Sequence, residues 1–479
     1  MLFQWALCSI ALASTAVTAQ SSDVRVAHRA LHRRQPKNAA DMAKVHGIEE
    51  QCKDYGDDTL YKMVQNHHFP KDGEIASIID SDKEAKDLWK EIKNSGIIPK
   101  NVKVKEGNDD HMGITDKQND KYEKSGDPDC WWTASKCTKP KAKNIPEDLY
   151  KCPEPKTWGL TFDDGPNCSH NEFYDFLQKN KLRATLFYIG TNIIDNPYQA
   201  QRGIADGHDV CVHTWSHHYM TTLEDEQVFA ELYYTAKAIK TVMGVTPRCW
   251  RPPFGDTDDR VRAIAAGLGL RTVLWQEDTG DWEVDSGKPK SDIEKNYEDI
   301  AKKADKESPV VLTHELTNNT MSLFVKEYDN LKKAYDNIVP MTACFNITRP
   351  YPEDIEYPDF AAFTSGTLDP KGKPDISKVK VDSSASYKAV PLSKQTQKGS
   401  YISPGSGKKK DSKGKDGKGK GGSGSGSGSG GSGSGDSDNG SNSESKSSDS
   451  EGKGSATTSS KLLALFGGML VTAAVVFTL

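Results

Sequence analysis

Thr157-Trp158-Gly159-Leu160-Thr161-Phe162-Asp163-Asp164-Gly165-Pro166 is a β-rich run that ends in two carboxylates and a turn. Residues 157–162 read as a strand, and the Asp, Gly and Pro that follow are turn formers. Outward from this stretch, further strand candidates occupy residues 184–189, 209–213, 248–251, 271–276 and 310–313. Between them, Val228, Leu232, Ala236, Ile239 and Met243 recur at helical spacing and stop at Gly244. Val261, Ile264, Ala265 and Leu268 repeat the pattern before Gly269, as do Phe324, Tyr328, Leu331 and Tyr335. Strand and helix in regular alternation predict parallel strands with right-handed crossovers. The expected fold class is α/β, a distorted or incomplete (β/α) barrel, with its chemistry at the C-terminal ends of the strands.

The candidate residues sit at those ends. Adjacent carboxylates at Asp163 and Asp164 point in different directions, so one can ligate a cation while the other acts on water; read alone, the pair is equally a solvated turn. His213 and His217 are four residues apart and share a face if the chain turns helical there. With one carboxylate they form a two-His, one-Asp set with open positions, which suits Zn2+ first, with Co2+ or another divalent first-row metal as options. His208 and His218, and His67, His68 and His111 outside this region, are expected in structural or surface roles. Arg251, in Arg251-Pro252-Pro253-Phe254-Gly255, can orient a carboxylate and hold it ionised, or form a surface salt bridge. The last two ends carry Asp278-Thr279-Gly280-Asp281-Trp282 and Leu312-Thr313-His314-Glu315. A histidine whose tautomer is set by a nearby carboxylate suits a general acid.

These five motifs, in this order, resemble the NodB-homology polysaccharide deacetylases, carbohydrate esterase family 4. Residues 161–166 match the family's TFDDGP, His213 to His217 its H-x-x-x-H, and Arg251 to Phe254 its R-x-P-Phe/Tyr. Asp278 to Trp282 match D-x-x-D-W, and Leu312 to His314 match L-x-H. The resemblance covers residues 152–345 and is nearest to fungal chitin deacetylases. It implies a NodB-type barrel and metal-dependent hydrolysis of the N-acetyl groups of cell-wall chitin or chitin oligomers, giving chitosan and acetate. It also implies roles: Asp163 as general base, Asp164, His213 and His217 as metal ligands, and Arg251 as the orienter of Asp163. Asp281 would tune His314, the general acid. Trp282 and Leu312 would line the acetyl-methyl pocket, and the Phe254 backbone N–H would hold the oxyanion. Two other functions stay open: an O-acetyl esterase on xylan or another wall glycan, and a catalytically silent mannoprotein that binds wall glycan.

The chain on either side differs in texture. Residues 1–19 read as a signal peptide. Residues 20–151 form a polar, Lys/Asp-rich N-terminal extension, with Arg33-Arg34 either a propeptide processing site or a solvated pair. The deacetylase-like domain is set at 152–357, followed by a Ser/Gly/Lys-rich linker and stalk at 358–456 that is expected to be disordered. Lys408-Lys409-Lys410 in it could touch acidic wall polymers, or be simply solvated. Within residues 457–479, Leu462 to Leu479 is apolar to the last position, with a polar spacer at Thr457 to Lys461 and small residues Gly452, Gly454 and Ser455 ahead of it. That order is the pattern for a glycosylphosphatidylinositol (GPI) anchor at one of the three; a tail-anchored helix is the other reading. The expectation is a secreted protein at the outer face of a eukaryotic plasma membrane or in its wall, with the lipid anchor and wall glycans as partners.

A net charge of −5 over 479 residues gives no support to nucleic-acid binding. Of nine cysteines, Cys8 leaves with the signal peptide, and the even remainder argues for disulfides in an oxidising compartment. Their connectivity is not readable; Cys152 with Cys344 is favoured because the two bracket the domain. Asn167, Asn318, Asn346 and Asn439 head N-glycosylation sequons.

Overall fold

The computed structural model describes residues 35–402. The expectations for residues 1–19, Arg33-Arg34, Lys408-Lys409-Lys410, Asn439, Gly452, Gly454, Ser455 and residues 457–479 lie outside the described residues.

At the centre is an eight-stranded sheet made of β1 (Thr157–Gly165), β2 (Thr185–Tyr188), β3 (Asp209–Val212), β4 (Cys249–Trp250), β5 (Arg271–Thr272), β6 (Glu277–Asp278), β7 (Val310–Leu312) and β8 (Asn337–Val339). Its order is β5-β4-β3-β2-β1-β7-β6, with β8 also on β1, and all its pairings are parallel. The two ends of that order are joined by residues 273–276 alone. Laid flat, seven strands with six spacings of about 4.8 Å would put β5 and β6 about 29 Å apart. The five residue steps from Thr272 to Glu277 reach only about 17 Å when fully extended. The sheet therefore has to curl, and the expected incomplete barrel results. Residues 271–276, expected as one strand, are instead the two-residue β5 and the closing link that leads to β6 on the opposite edge. The Gln276 N–H still donates to the Val310 carbonyl at 2.9 Å, so the link is held to the sheet.

All nine residues of β1 are buried, as a strand covered on both faces requires. The ring of Phe162 meets Phe173 at 4.9 Å and Phe324 at 5.1 Å, edge to face. These come from the outer helices Asn171–Lys179 and Asn318–Ala334. Thr161 and Asp163, on the opposite face, point into the barrel, where both accept from Arg251.

The longest helix among the described residues, α1 (Asp225–Met243), starts in a capping box between Glu224 and Gln227 and ends at Gly244, whose φ is 77°. It is buried well beyond the predicted stripe: Phe229, Tyr233 and Tyr234 are covered as well. Their cover is the N-terminal extension, through the helix α2 (Lys83–Asn94). Trp89 lies 5.3 Å from Phe229, and the Lys237 ammonium reaches the Asp82 carboxylate at 2.6 Å. Leu60, Met63, Phe69, Ala76, Ala85, Trp89 and Ile92 join the same hydrophobic cluster as the strands. The extension is thus part of the barrel's core.

Residues 358–402, expected within a disordered linker, are also packed. The Tyr387 hydroxyl donates to the Leu268 carbonyl at 3.0 Å, and fully buried Tyr401 donates to Asp209. Its apolar residues, among them Phe363, Leu368, Ile376, Val381, Tyr387 and Tyr401, keep no helical or strand period, which is why this segment passed for linker. Four disulfides tie the described chain: Cys52–Cys168, Cys130–Cys137, Cys211–Cys249 and the expected Cys152–Cys344.

Burial raises the Asp209 carboxyl from 3.8 to about 6, against donation from Tyr401, Tyr351 and Thr185. A folded pKa above the unfolded one means that stability falls as pH rises from about 4 through about 6. Tyr401→Phe removes one donor to the ionised form, raising that pKa further and lowering stability by about 1–3 kcal/mol. Urea denaturation should show the larger loss at pH 8 than at pH 5; equal midpoints for variant and wild type at both pH values would refute the packing role.

Candidate active site

On a regular strand, adjacent residues point to opposite faces, so Asp163 and Asp164 could not share a mouth. The pairing of β1 with β2 slips between Asp163 and Gly165, and Asp164 sits in left-handed backbone at φ 70°. This bulge re-aims Asp164 while Asp163 keeps the inward direction of the strand. The peptide after it, Gly165-Pro166, is cis. Asp163 is locked on both sides by main-chain bonds to β7's extension: its N–H donates to Thr313 and its carbonyl accepts from Glu315, both at 2.9 Å.

Arg251 emerges from β4, wholly buried, and its Nη1 donates to Asp163 Oδ1 at 2.7 Å and to Thr161 Oγ1 at 2.8 Å. The guanidinium lies 4.1 Å over the Phe187 ring. The surface-salt-bridge reading of Arg251 is excluded by this burial. Removing either member of such a pair leaves an uncompensated buried charge, a loss of about 3–5 kcal/mol.

His213 and His217 come together, but the chain between them is a loop and not the helical turn expected. Thr214 and His217 both have positive φ, 66° and 59°, and this reverses the chain within four residues. Asp164 Oδ1 lies 3.3 Å from His213 Nε2 and 3.1 Å from His217 Nε2. That oxygen is buried and makes no hydrogen bond of acceptable geometry. Four ligands at 2.0–2.1 Å around a tetrahedral Zn2+ stand about 3.3 Å apart, so the three atoms fit a shared cation. The Nδ1 of His213 faces the Arg251 carbonyl at 2.8 Å, which can only accept; the proton is therefore on Nδ1 and the Nε2 lone pair is free for a metal. Burial acts to raise the Asp164 pKa, but His217 and His213, with His314 behind them, hold it well below the usual range. Two other Asp/Cys groupings among the described residues have both cysteines in disulfides and offer no thiolate.

His314 follows β7, and its Nδ1 meets Asp281 Oδ1 at 2.6 Å while its backbone N–H donates to Oδ2 at 2.9 Å. Asp281 is fully buried behind it. Burial disfavours the imidazolium, yet Asp281, then Asp164 and Asp163, outweigh it and raise His314 to about 10. Beside this, Phe254 is in left-handed backbone at φ 58° and stacks on Tyr219 at 4.3 Å. The Gly255 and Asp256 amides turn back to Pro252 and Pro253, while that of Phe254 has no acceptor among the described residues. Phe254 and Trp282 are 38% and 44% exposed, large aromatic surfaces left open to solvent, and Leu312 is buried at the end of β7.

The other predicted positions range from buried His208 to exposed His67 and His68. His208 is buried with Nδ1 accepting from the Ala184 N–H, and His218 bonds Ser216. His111 Nδ1 pairs with Thr222 Oγ1 at 2.9 Å. The amide nitrogens of Asn167 and Asn318 donate to the Leu316 carbonyl and Ser169 Oγ, and Asn346 Oδ1 accepts from the Phe360 N–H. Two buried carboxylates that sequence reasoning passed over shape the mouth. Glu315 accepts from the Asn167 N–H at 2.9 Å and the Tyr174 hydroxyl at 2.6 Å, and lies so near Gly165 that a Cβ there would come within 2.6 Å of it. Asp256 accepts from Trp131 Nε1, Thr133 Oγ1 and Thr221, joining the loop after Arg251 to the extension. Neither has a local signature; only the adjacency of Glu315 to His314 hinted at one.

Residues 150–273 match the family described as polysaccharide deacetylase. Chitin deacetylase 2 of Cryptococcus neoformans var. grubii is 46% identical over 347 residues, 70% of this chain and 74% of that protein. The chain belongs to the polysaccharide deacetylases. Chitin deacetylase of Amylomyces rouxii is 52% identical over 241 residues, 49% of this chain and 57% of that protein. A solved chitin deacetylase from Colletotrichum lindemuthianum is 27% identical with a TM-score of 0.39, covering 41% of this chain and 90% of its own. In this polysaccharide deacetylase the matched span ends before Asp281 and His314, which the curled sheet brings back to Asp163.

Because His314 is raised to about 10, its imidazolium is held through neutral pH and lost as pH climbs toward that value. Asp281→Asn removes the main anion raising it, so the basic limb of the pH–activity profile should move to lower pH. A basic limb left in place by the substitution would show that His314 is not the group titrating there.

Proposed function

We propose that this chain hydrolyses the N-acetyl groups of chitin or chitin oligomers, leaving glucosamine units and acetate. The observation that carries the reading is the opposition, in one mouth, of a carboxylate held by Arg251 and an imidazolium held by Asp281. Amide hydrolysis needs both, since water must lose a proton to attack and an amine leaves badly unless it gains one. Asp163 takes the proton from the attacking water while Arg251 keeps its carboxylate oriented. The Phe254 N–H donates to the oxyanion of the tetrahedral intermediate, a contact whose loss lowers rates by about 100- to 1000-fold in comparable sites. His314 then delivers a proton to the departing nitrogen, and the C–N bond breaks to give acetate and the free amine. A divalent cation at Asp164, His213 and His217, Zn2+ or another first-row ion, would polarise the acetamide carbonyl and make water more acidic. Leu312 and Trp282 are the candidates for enclosing the acetyl methyl, and exposed Phe254 and Trp282 for meeting the apolar faces of sugar rings. The choice of chitin over an O-acetylated glycan is supported by the chitin deacetylases that are 46% and 52% identical.

We also propose secretion and a GPI anchor, with cell-wall chitin converted to chitosan in place. The support is the apolar ends of the sequence and the four disulfides, which need an oxidising compartment.

Acetate release should be measured on chitin oligomers and on acetylated xylan, before and after chelation. Release from the oligomers alone, stopped by chelator and restored by Zn2+ or Co2+, is the expected result; activity surviving full metal removal would end the mechanism. Asp163→Asn should lower kcat by about 10²–10⁴ and leave cation binding in place. Near-normal turnover in that variant would remove Asp163 as the base.

A further inference from the structure

The loop that separates the two imidazoles, Thr214-Trp215-Ser216, is held from behind by two parts of the chain distant in sequence. The first is Glu231, in the middle of α1 and fully buried. Its Oε2 accepts from the Trp215 N–H at 2.7 Å and the Ser216 N–H at 2.9 Å. Its Oε1 accepts from Ser216 Oγ at 2.6 Å and from the Ala76 N–H at 2.7 Å. Four donors thus converge on one carboxylate, three from the loop and one from the N-terminal extension.

The second is the extension itself. The Phe69 ring stacks on Trp215 at 5.9 Å with the planes 6° apart, and Trp215 Nε1 donates to the Lys71 carbonyl at 3.0 Å. Ile79 is fastened to the same helix as Glu231, its N–H donating to the Tyr234 hydroxyl at 2.9 Å. Trp215 also abuts Gly190, where a Cβ would lie 2.4 Å from its ring. Thr214 and His217 occupy left-handed backbone that non-glycine residues rarely adopt, so the loop needs external bonds to keep its form. A merely space-filling role at position 231 would be served as well by an aliphatic side chain, without the desolvation of a charge.

We propose that Glu231 and residues 69–79 form a positioning device for the cation ligands, through which the N-terminal extension sets the affinity of the Asp164, His213 and His217 site for its metal. Glu231 is a positioning residue, acting on His213 and His217 through the loop between them. The inference rests on reading those three residues as a cation site.

The test uses the intact chain, stripped with chelator and titrated with Co2+ alone by calorimetry and by the visible Co2+ absorption band. Glu231→Ala and Phe69→Ala should weaken binding about 10- to 100-fold, the range for groups that orient metal ligands, and should alter the band, while the circular dichroism of the fold persists. Glu231→Gln can keep its carbonyl oxygen on the Trp215 and Ser216 amides but must turn an NH2 toward Ala76, so its loss should be smaller than that of the Ala variant. Variants that fold and bind Co2+ with the wild-type Kd and spectrum would overturn the proposal. If Glu231→Ala does not fold, Glu231→Gln and Phe69→Ala decide on the same criterion. Wild-type protein that binds no Co2+ would instead refute the cation site and the inference with it, an outcome distinct from equal binding by all.

Discussion

Closure of the sheet between Thr272 and Glu277 is the constraint on which the site depends. Along the sheet, β4 is three strands away from β1, about 14 Å at ordinary spacing, yet Arg251 reaches Asp163 at 2.7 Å. The pair is made across the barrel's interior, which only a curled sheet permits. The same curl puts β6, carrying Asp278 at its end, beside β7, so that Asp281 stands behind His314. Residues from the ends of β1, β3, β4, β6 and β7 then face one mouth. Because the link of residues 273–276 is too short for anything but closure, this convergence does not rely on any side chain of the site.

Within that mouth, charges are set out in alternation. A guanidinium backs one carboxylate, a carboxylate backs one imidazole, and the remaining carboxylate faces two imidazoles. Each group with work to do in the proposed reaction has a charged or titratable partner that fixes its direction. Such an arrangement is costly to assemble in a dry interior, and the four-donor shells of Glu231 and Asp256 show where the compensation lies. Polar groups fixed before the substrate arrives need no reorganisation as charge develops.

The parallel strands, their order of motifs and the residues at their ends were legible in the sequence, because period and turn chemistry are local. So was the Cys152–Cys344 pairing, since those cysteines flank the alternating region. The bulge at Asp164 was not, as it depends on a register slip against β2, nor was the non-helical path from His213 to His217, which depends on Glu231. The role of residues 35–151, which the sequence left open, and the packing of residues 358–402 were not legible either. The bonds that tie them to the barrel span long stretches of chain: Ala76 and Glu231 are 155 positions apart, Tyr401 and Asp209 192. Local composition carries no trace of such pairs.

That distance has a bearing on how the protein is made. At about 5–20 residues per second, the 155 positions from Ala76 to Glu231 correspond to roughly 8–31 s of synthesis. For most of that interval Phe69, Trp89 and Ile92 have been polymerised while the helix Asp225–Met243 has not. A segment that must wait in water for its partner is better served by lysine and aspartate than by a continuous apolar face. The polar texture of the extension suits a stretch that stays in water first and is buried later.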